Sequence, residues 1–235
     1  MTRVRFRFAK LGKVRWTSHR DMARMWERAF RRIELPLAYS QGFSPRPKVS
    51  FGLALPTGAE SESEFLDVEL APGAEADLPA LPGRLSPALP VGVEVTAAGR
   101  LVDGGGSLQS EVTSCCWVVT VPGLDPGELA AAVDRAVAAA ALVIGRERKG
   151  RLTEDDIRPG IVALESIDDA TLVCELATMP RALRPTELLL ALGLEPSCAG
   201  IRRISQWIER DGARWEPLAA PAGATGAPHA AGRAS

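Results

Sequence analysis

Arg3-Val4-Arg5-Phe6-Arg7-Phe8, followed by Ser18-His19-Arg20-Asp21-Met22 where a longer period begins, decides the fold class. Val4, Phe6 and Phe8 alternate with three arginines, the period of a strand with one apolar and one cationic face. Met22, Met25, Trp26, Ala29 and Ile33 then recur at helical spacing, with Arg20, Arg24, Arg28 and Arg31 on the opposite side. Ser18 is the expected N-cap, Asp21 its acidic partner three residues on, and Pro36 ends the helix.

Working outward, a loop rich in turn formers runs from Tyr39 to Lys48. Strands are expected over residues 49–55 and through Leu66, Val68 and Leu70, a short helix over 77–85, and a strand through Val91, Val93 and Val95. That order, β-α-β-β-α-β, is the split βαβ of a ferredoxin-like unit. Gly104-Gly105-Gly106 reads as a flexible joint, after which the order repeats. The second half is expected to hold strands over 116–121, 142–148 and 201–208, a hairpin from 158–165 and 170–177, and helices over 126–141 and 185–192. The expected fold is therefore α+β, two tandem ferredoxin-like domains with mostly antiparallel sheets. They would span residues 1–103 and 104–216, with 217–235 a disordered Ala/Gly/Pro tail.

The 235 residues are 46% hydrophobic and 24% charged, the composition of a globular chain. No apolar run approaches the roughly 18 residues of a membrane span. No apolar signal core follows Arg3, so a cytoplasmic location is expected. Cys115, Cys116, Cys174 and Cys198 form no C-x-x-C pair and no C-x-x-x-C-x-x-C triplet. Zinc-ribbon, thioredoxin-like and radical-SAM cluster chemistry within this chain therefore have no support. Phosphate-binding glycine loops of the usual patterns are missing as well. The net charge of -1 conceals a segregation: residues 1–50 carry thirteen Lys/Arg against three Asp/Glu, and residues 51–135 carry three against thirteen.

The stretches Trp16-Thr17-Ser18-His19-Arg20-Asp21, Glu27-Arg28-Ala29 and Leu35-Pro36-Leu37-Ala38-Tyr39-Ser40-Gln41-Gly42-Phe43-Ser44-Pro45-Arg46-Pro47-Lys48 resemble a domain-of-unknown-function family of radical-SAM-linked (radical-SAM-associated) proteins. Leu55-Pro56-Thr57-Gly58 and Glu64-Phe65-Leu66-Asp67 continue the likeness, as do Arg148-Lys149-Gly150 and Asp156-Ile157-Arg158-Pro159. Arg46 stands where the resemblance leads one to expect histidine. What the resemblance implies is partnership with a separate radical-SAM protein. That partner would carry the iron–sulfur cluster, S-adenosylmethionine and cobalamin, and this chain would carry no cofactor.

The residues themselves point to anion contact. Arg3, Arg5 and Arg7 would line the sheet face that the helices leave open, and Arg20, Arg24, Arg28 and Arg31 a helix face; Arg46 and Lys48 add charge from the loop. Arginine suits bidentate phosphate contacts. With the strand's aromatics turned inward, a phosphate track fits better than base readout. The alternative is that the strand arginines pair with the acidic 51–135 segment. Ser18, His19, Tyr39, Gln41, Gly42 and Phe43 form a candidate ligand or partner loop. The leading expectation is an accessory module that binds RNA or a substrate without catalysing a reaction itself. The alternative is a metal-independent endoribonuclease with His19, Tyr39 and Lys48 as its catalytic groups. Glu60, Glu62 and Glu64 at spacing two, and Glu154-Asp155-Asp156, read as solvated acids.

Overall fold

A computed structural model of the chain describes residues 2–101, 106–148 and 150–218. The first half runs β1 (Arg3–Lys10), α1 (His19–Arg32), β2 (Val49–Phe51), β3 (Glu60–Glu69), α2 (Leu81–Leu85) and β4 (Val93–Leu101). The second runs α3 (Leu108–Glu111), β5 (Ser114–Thr120), α4 (Glu128–Ala138), β6 (Val143–Arg148), β7 (Arg151–Asp156), β8 (Ile161–Ser166), β9 (Thr171–Ala177), α5 (Pro185–Leu192), β10 (Gly200–Arg210) and β11 (Ala213–Trp215). The fold is mixed, with a mostly antiparallel open sheet and few helices.

In the first half β1 lies between β4 and β3, and β2 pairs with the far side of β3, all antiparallel. In the second half the order is β10-β5-β9-β8, again antiparallel. The two halves are not separate sheets. β2 is only three residues long and covers Leu66 to Val68 of β3, leaving the start of β3 uncovered. β10 pairs there in parallel, Arg202 opposite Glu60 and Arg203 opposite Ser61.

Several expectations shift in detail. The strand expected over 142–148 pairs with β7 as a separate two-stranded ribbon, outside the main sheet. The acidic run Glu154-Asp155-Asp156, read from the sequence as solvated acids, therefore lies in strand β7. Asp155 meets Arg146 and Arg181, and both arginines also reach Glu187 on α5. Hydrogen bonding from Arg181 holds the Asp155 carboxyl below its usual range. Of the glycine joint expected at Gly104-Gly105-Gly106, only Gly106 is described, its N–H donating to Glu111 at 2.7 Å; Gly104 and Gly105 lie outside the described residues, as do 219–235 of the expected tail. Pro217 and Leu218 of that segment are described, and both dock on the first half. The Pro217 carbonyl accepts from Arg5. Leu218 packs so close to Gly99 that a Cβ there would lie 2.7 Å from it.

Two cores result. The first gathers Val4, Phe6 and Phe8 of β1 with Met22, Trp26 and Phe30 of α1, Leu66 and Val68 of β3, and Leu70 just after it. Phe8 meets Trp26 edge-on at 5.0 Å. The second includes Trp117 and Val119 of β5, Leu129 of α4 and Leu188 of α5. Consecutive residues of β3 serve both, because Phe65 belongs to the second core while Leu66 belongs to the first.

The acids at spacing two share one strand and grip β10. Arg202 reaches Glu60 at 2.8 Å and Glu62 at 3.2 Å. Arg203, almost fully buried, reaches Glu64 at 2.9 Å and lies over the Trp117 ring at 4.7 Å. Arg203→Ala is expected to lower unfolding stability by about 3 kcal/mol, since Glu64 stays buried without its ion-pair partner and keeps only Ser61 and the more distant Lys10. Arg202→Ala, at an exposed pair, should cost about 0–1 kcal/mol. Equal shifts in the urea midpoint of the two variants would refute this ranking. Burial alone would raise the Glu60 pKa, but the Gly12 N–H at 2.7 Å, Arg202 and Arg15 hold it below the usual glutamate range. A depressed carboxyl stabilises the fold fully above its unfolded value, about 4.3, and loses that contribution as pH falls through its lower folded value. The Tm difference between wild type and Glu60→Gln should therefore be constant above roughly pH 5 and shrink in more acidic buffer. A difference that grows on acidification would show the sign to be wrong.

Candidate functional site

The sequence places its positive charge on one strand and one helix, and the fold treats the two differently. Arg5 stands opposite Asp67 across β1 and β3 and binds it at two points, 2.7 and 2.9 Å. Its side chain is only 3% exposed. Arg3 also reaches Asp67, at 3.4 Å, and Arg7 reaches Glu216 at 3.4 Å. The strand row does face away from the helices, but it is not an open cationic face. Asp67 neutralises it from the neighbouring strand, and residues 216–218 lie across it. This is the intramolecular pairing that the acidic 51–135 segment made possible.

The helix row has no such partners. Ser18 caps α1 by accepting from the Asp21 N–H at 3.1 Å. Met22, Trp26, Ala29 and Phe30 turn into the core and leave the arginines outside. Arg24 makes only a long contact to Asp21, 3.5 Å. Among the described residues the guanidiniums of Arg20, Arg28, Arg31 and Arg46 have no hydrogen-bond or ion-pair partner.

Facing this helix is the Tyr39–Lys48 segment, folded into a small closed hairpin. The Ser40 N–H donates to the Arg46 carbonyl at 2.8 Å, and the Lys48 N–H to the Ala38 carbonyl at 2.9 Å. Tyr39 bridges to Pro47, and the Ser40 hydroxyl accepts from the Arg46 N–H at 3.1 Å. Gln41 and Gly42 sit exposed at the tip, where Phe43 is wholly in solvent. Between α1 and this hairpin lies a groove of about 410 Å³. Arg20, Arg24, Arg31 and Arg46 line it together with Tyr39, with Glu27 as the lone acid.

His19, Tyr39 and Lys48 do not converge. The His19 ring packs edge-on against Phe51 at 4.9 Å, and Lys48 donates to Glu69 at 2.7 Å beside Asp67 and Arg3. Neither lines the groove that Tyr39 lines. Arg28 is exposed on α1 but also stands outside the groove. Other motif residues do meet: the Gly58 N–H donates to the Arg15 carbonyl at 3.0 Å, and the Trp16 ring covers Gly58. Sequence reasoning missed the facing of α1 by the hairpin, which no local period encodes, while helical spacing already placed Glu27 as the one acid near the arginine row. Among the described residues no group of three or more His, Cys, Asp or Glu side chains could hold a metal ion. No helix among them is long and apolar enough to cross a membrane.

Structural and free arginines separate by experiment. Arg5→Ala, which leaves the buried Asp67 carboxylate only the long 3.4 Å contact to Arg3, is expected to cost about 3 kcal/mol. Arg31→Ala should stay within about 0.5 kcal/mol of wild type. Chemical denaturation of both variants checks this, and a neutral Arg5→Ala would show the strand pair to be dispensable.

No curated protein matches the chain. A family model described as "uncharacterized protein conserved in bacteria (DUF2344)" matches residues 3–185, which takes in the whole first half, the groove, and the second half as far as the start of α5. By that match over most of its length, the chain belongs to the DUF2344 family.

Proposed function

We propose that this chain is a non-catalytic binding module that holds RNA through its phosphates in the groove between α1 and the 39–47 hairpin. The observation that carries this reading is the contrast between the two arginine rows. A protein whose positive charge served folding alone would pair it, as β1 does. The groove instead sets four guanidiniums against one carboxylate. Guanidinium forks match phosphate oxygens two at a time, and contacts of this kind supply affinity and position without reading sequence.

The module's setting rests on the motif resemblance. On that reading it works in the cytoplasm beside a radical-SAM protein that carries the iron–sulfur cluster, S-adenosylmethionine and cobalamin. The strand orders β4-β1-β3-β2 and β10-β5-β9-β8 support a description as two ferredoxin-like units joined edge to edge. The endoribonuclease alternative has less behind it, because His19, Tyr39 and Lys48 occupy three different surroundings.

Binding of a labelled RNA to the full chain tests the reading. Three or four phosphate contacts predict that log K falls against log salt with a slope of about −2 to −3. Arg24→Glu and Arg31→Glu should each weaken binding and flatten that slope, while His19→Ala should change neither. A flat salt response in wild type, or RNA cleavage lost in His19→Ala, would overturn the proposal. Affinity purification from the native host should return a radical-SAM protein, and its absence would remove the partnership.

A further inference from the structure

The groove contains an aromatic wall that a phosphate track does not need. Tyr39, the chain's only tyrosine, lines it and is 48% exposed, with Pro45 and Pro47 beside it. A tyrosine ring kept half in water forfeits burial that the adjacent core could supply. Its position is not accidental slack. The hairpin ladder on either side of Tyr39 holds the backbone from which the ring projects. Proline on the returning strand limits the loop's unbound conformations, which lowers the ordering cost of binding.

We infer that the groove takes single-stranded nucleic acid, with one base stacked on Tyr39 and the flanking phosphates on Arg24, Arg31 and Arg46. This rests on the binding reading above and names the form of its ligand. Size supports it: about 410 Å³ is within the range of pockets that enclose one small ligand. That is room for a nucleotide unit rather than a paired helix. Chemistry supports it as well. Duplex RNA keeps its bases stacked internally and shows proteins its backbone and shallow groove, whereas an unpaired base has a free π-face for an aromatic ring. Stacking on aromatic side chains beside a cationic track is the general solution for single strands. Glu27, the groove's one carboxylate, stands on α1 between Arg24 and Arg31 and would accept from base N–H groups. Phe43, wholly exposed at the hairpin tip, provides a second ring for a neighbouring base.

The test uses the full chain and three labelled probes in fluorescence anisotropy: a mixed-sequence RNA octamer, the same octamer in a duplex, and an abasic ribose-phosphate octamer. The octamer is expected to bind at least 10-fold more tightly than either of the others. Tyr39→Ala should weaken octamer binding by roughly 10-fold and leave the abasic probe unchanged, and Tyr39→Phe should restore wild-type binding. Because Tyr39 is half-exposed, the variants should fold normally, which circular dichroism and the urea midpoint would check. If all three probes bind alike and Tyr39→Ala is neutral, the stacking inference is wrong while the phosphate groove stands. If no probe binds and Arg24→Glu changes nothing, the binding reading fails with it.

Discussion

The buried Arg203–Glu64 pair is the contact on which the rest of the architecture depends. Each half of the chain makes a four-strand antiparallel order, and each would leave a strand edge unsatisfied: the start of β3 in the first half and one side of β10 in the second. Joining those edges removes both liabilities, but only if the register is right. A slip of one residue would turn Glu64 to the opposite face of β3 and leave Arg203 without a carboxylate. Burial pushes the Glu64 carboxyl up, while Arg203 and Lys10 oppose that shift. Burial likewise lowers Lys10, whose ammonium is restrained by Glu64. Hydrogen bonds from Arg203 to the Leu53 and Ala54 carbonyls extend the same grip to the segment before β3.

Once the junction is made, the charge segregation of the sequence acquires a physical meaning. The acids of β3 divide between two tasks: Glu60, Glu62 and Glu64 hold β10, and Asp67 holds the arginines of β1. That uses the acidic strand on both of its sides. The surplus of ten positive charges in residues 1–50, thirteen Lys/Arg against three Asp/Glu, therefore cannot be cancelled everywhere, and it collects on α1 and the hairpin, which have no acidic strand beside them.

Much of the fold was legible where one period ran long enough. β1, α1 with its Ser18 cap, and α5 over Pro185–Leu192 follow from strand or helix spacing and capping alone. The Arg5–Asp67 pair was also within reach. Asp67 alternates with the inward Leu66 and Val68, so it must share the outward face with the arginines of an adjacent strand. Three acids at spacing two on a strand, facing the Arg202-Arg203 pair in another strand, carried the same message about the junction, but solubility explained the acids equally well. What the sequence could not show is non-local. The docking of Pro217 and Leu218 on β1 and β4 brings together residues more than one hundred positions apart. The groove belongs to this second class, since nothing in the spacing of α1 or of the hairpin says that the two face each other.

The groove also carries an internal electrostatic cost. Its Arg20 and Arg24, and Arg28 next to them on α1 outside the groove, succeed one another at i, i+4, and like charges at that spacing are destabilising by about 0.2–0.5 kcal/mol a pair. Arg20 adds to this by lying in the first turn, where the helix dipole already presents positive charge. Asp21 relieves part of it at one end, through Ser18 and Arg24. The helix persists because its other face buries Trp26 and Phe30 completely, and a fully buried side chain of that kind contributes about 1.5–3 kcal/mol. Packing thus holds in place an array of cations that would separate if the helix were free. An anion entering the groove relieves the repulsion without moving the backbone, so its contacts are gained at little reorganisation cost. A rigid helix and a pre-closed hairpin are what such a site requires, and they are the elements that this fold places on either side of it.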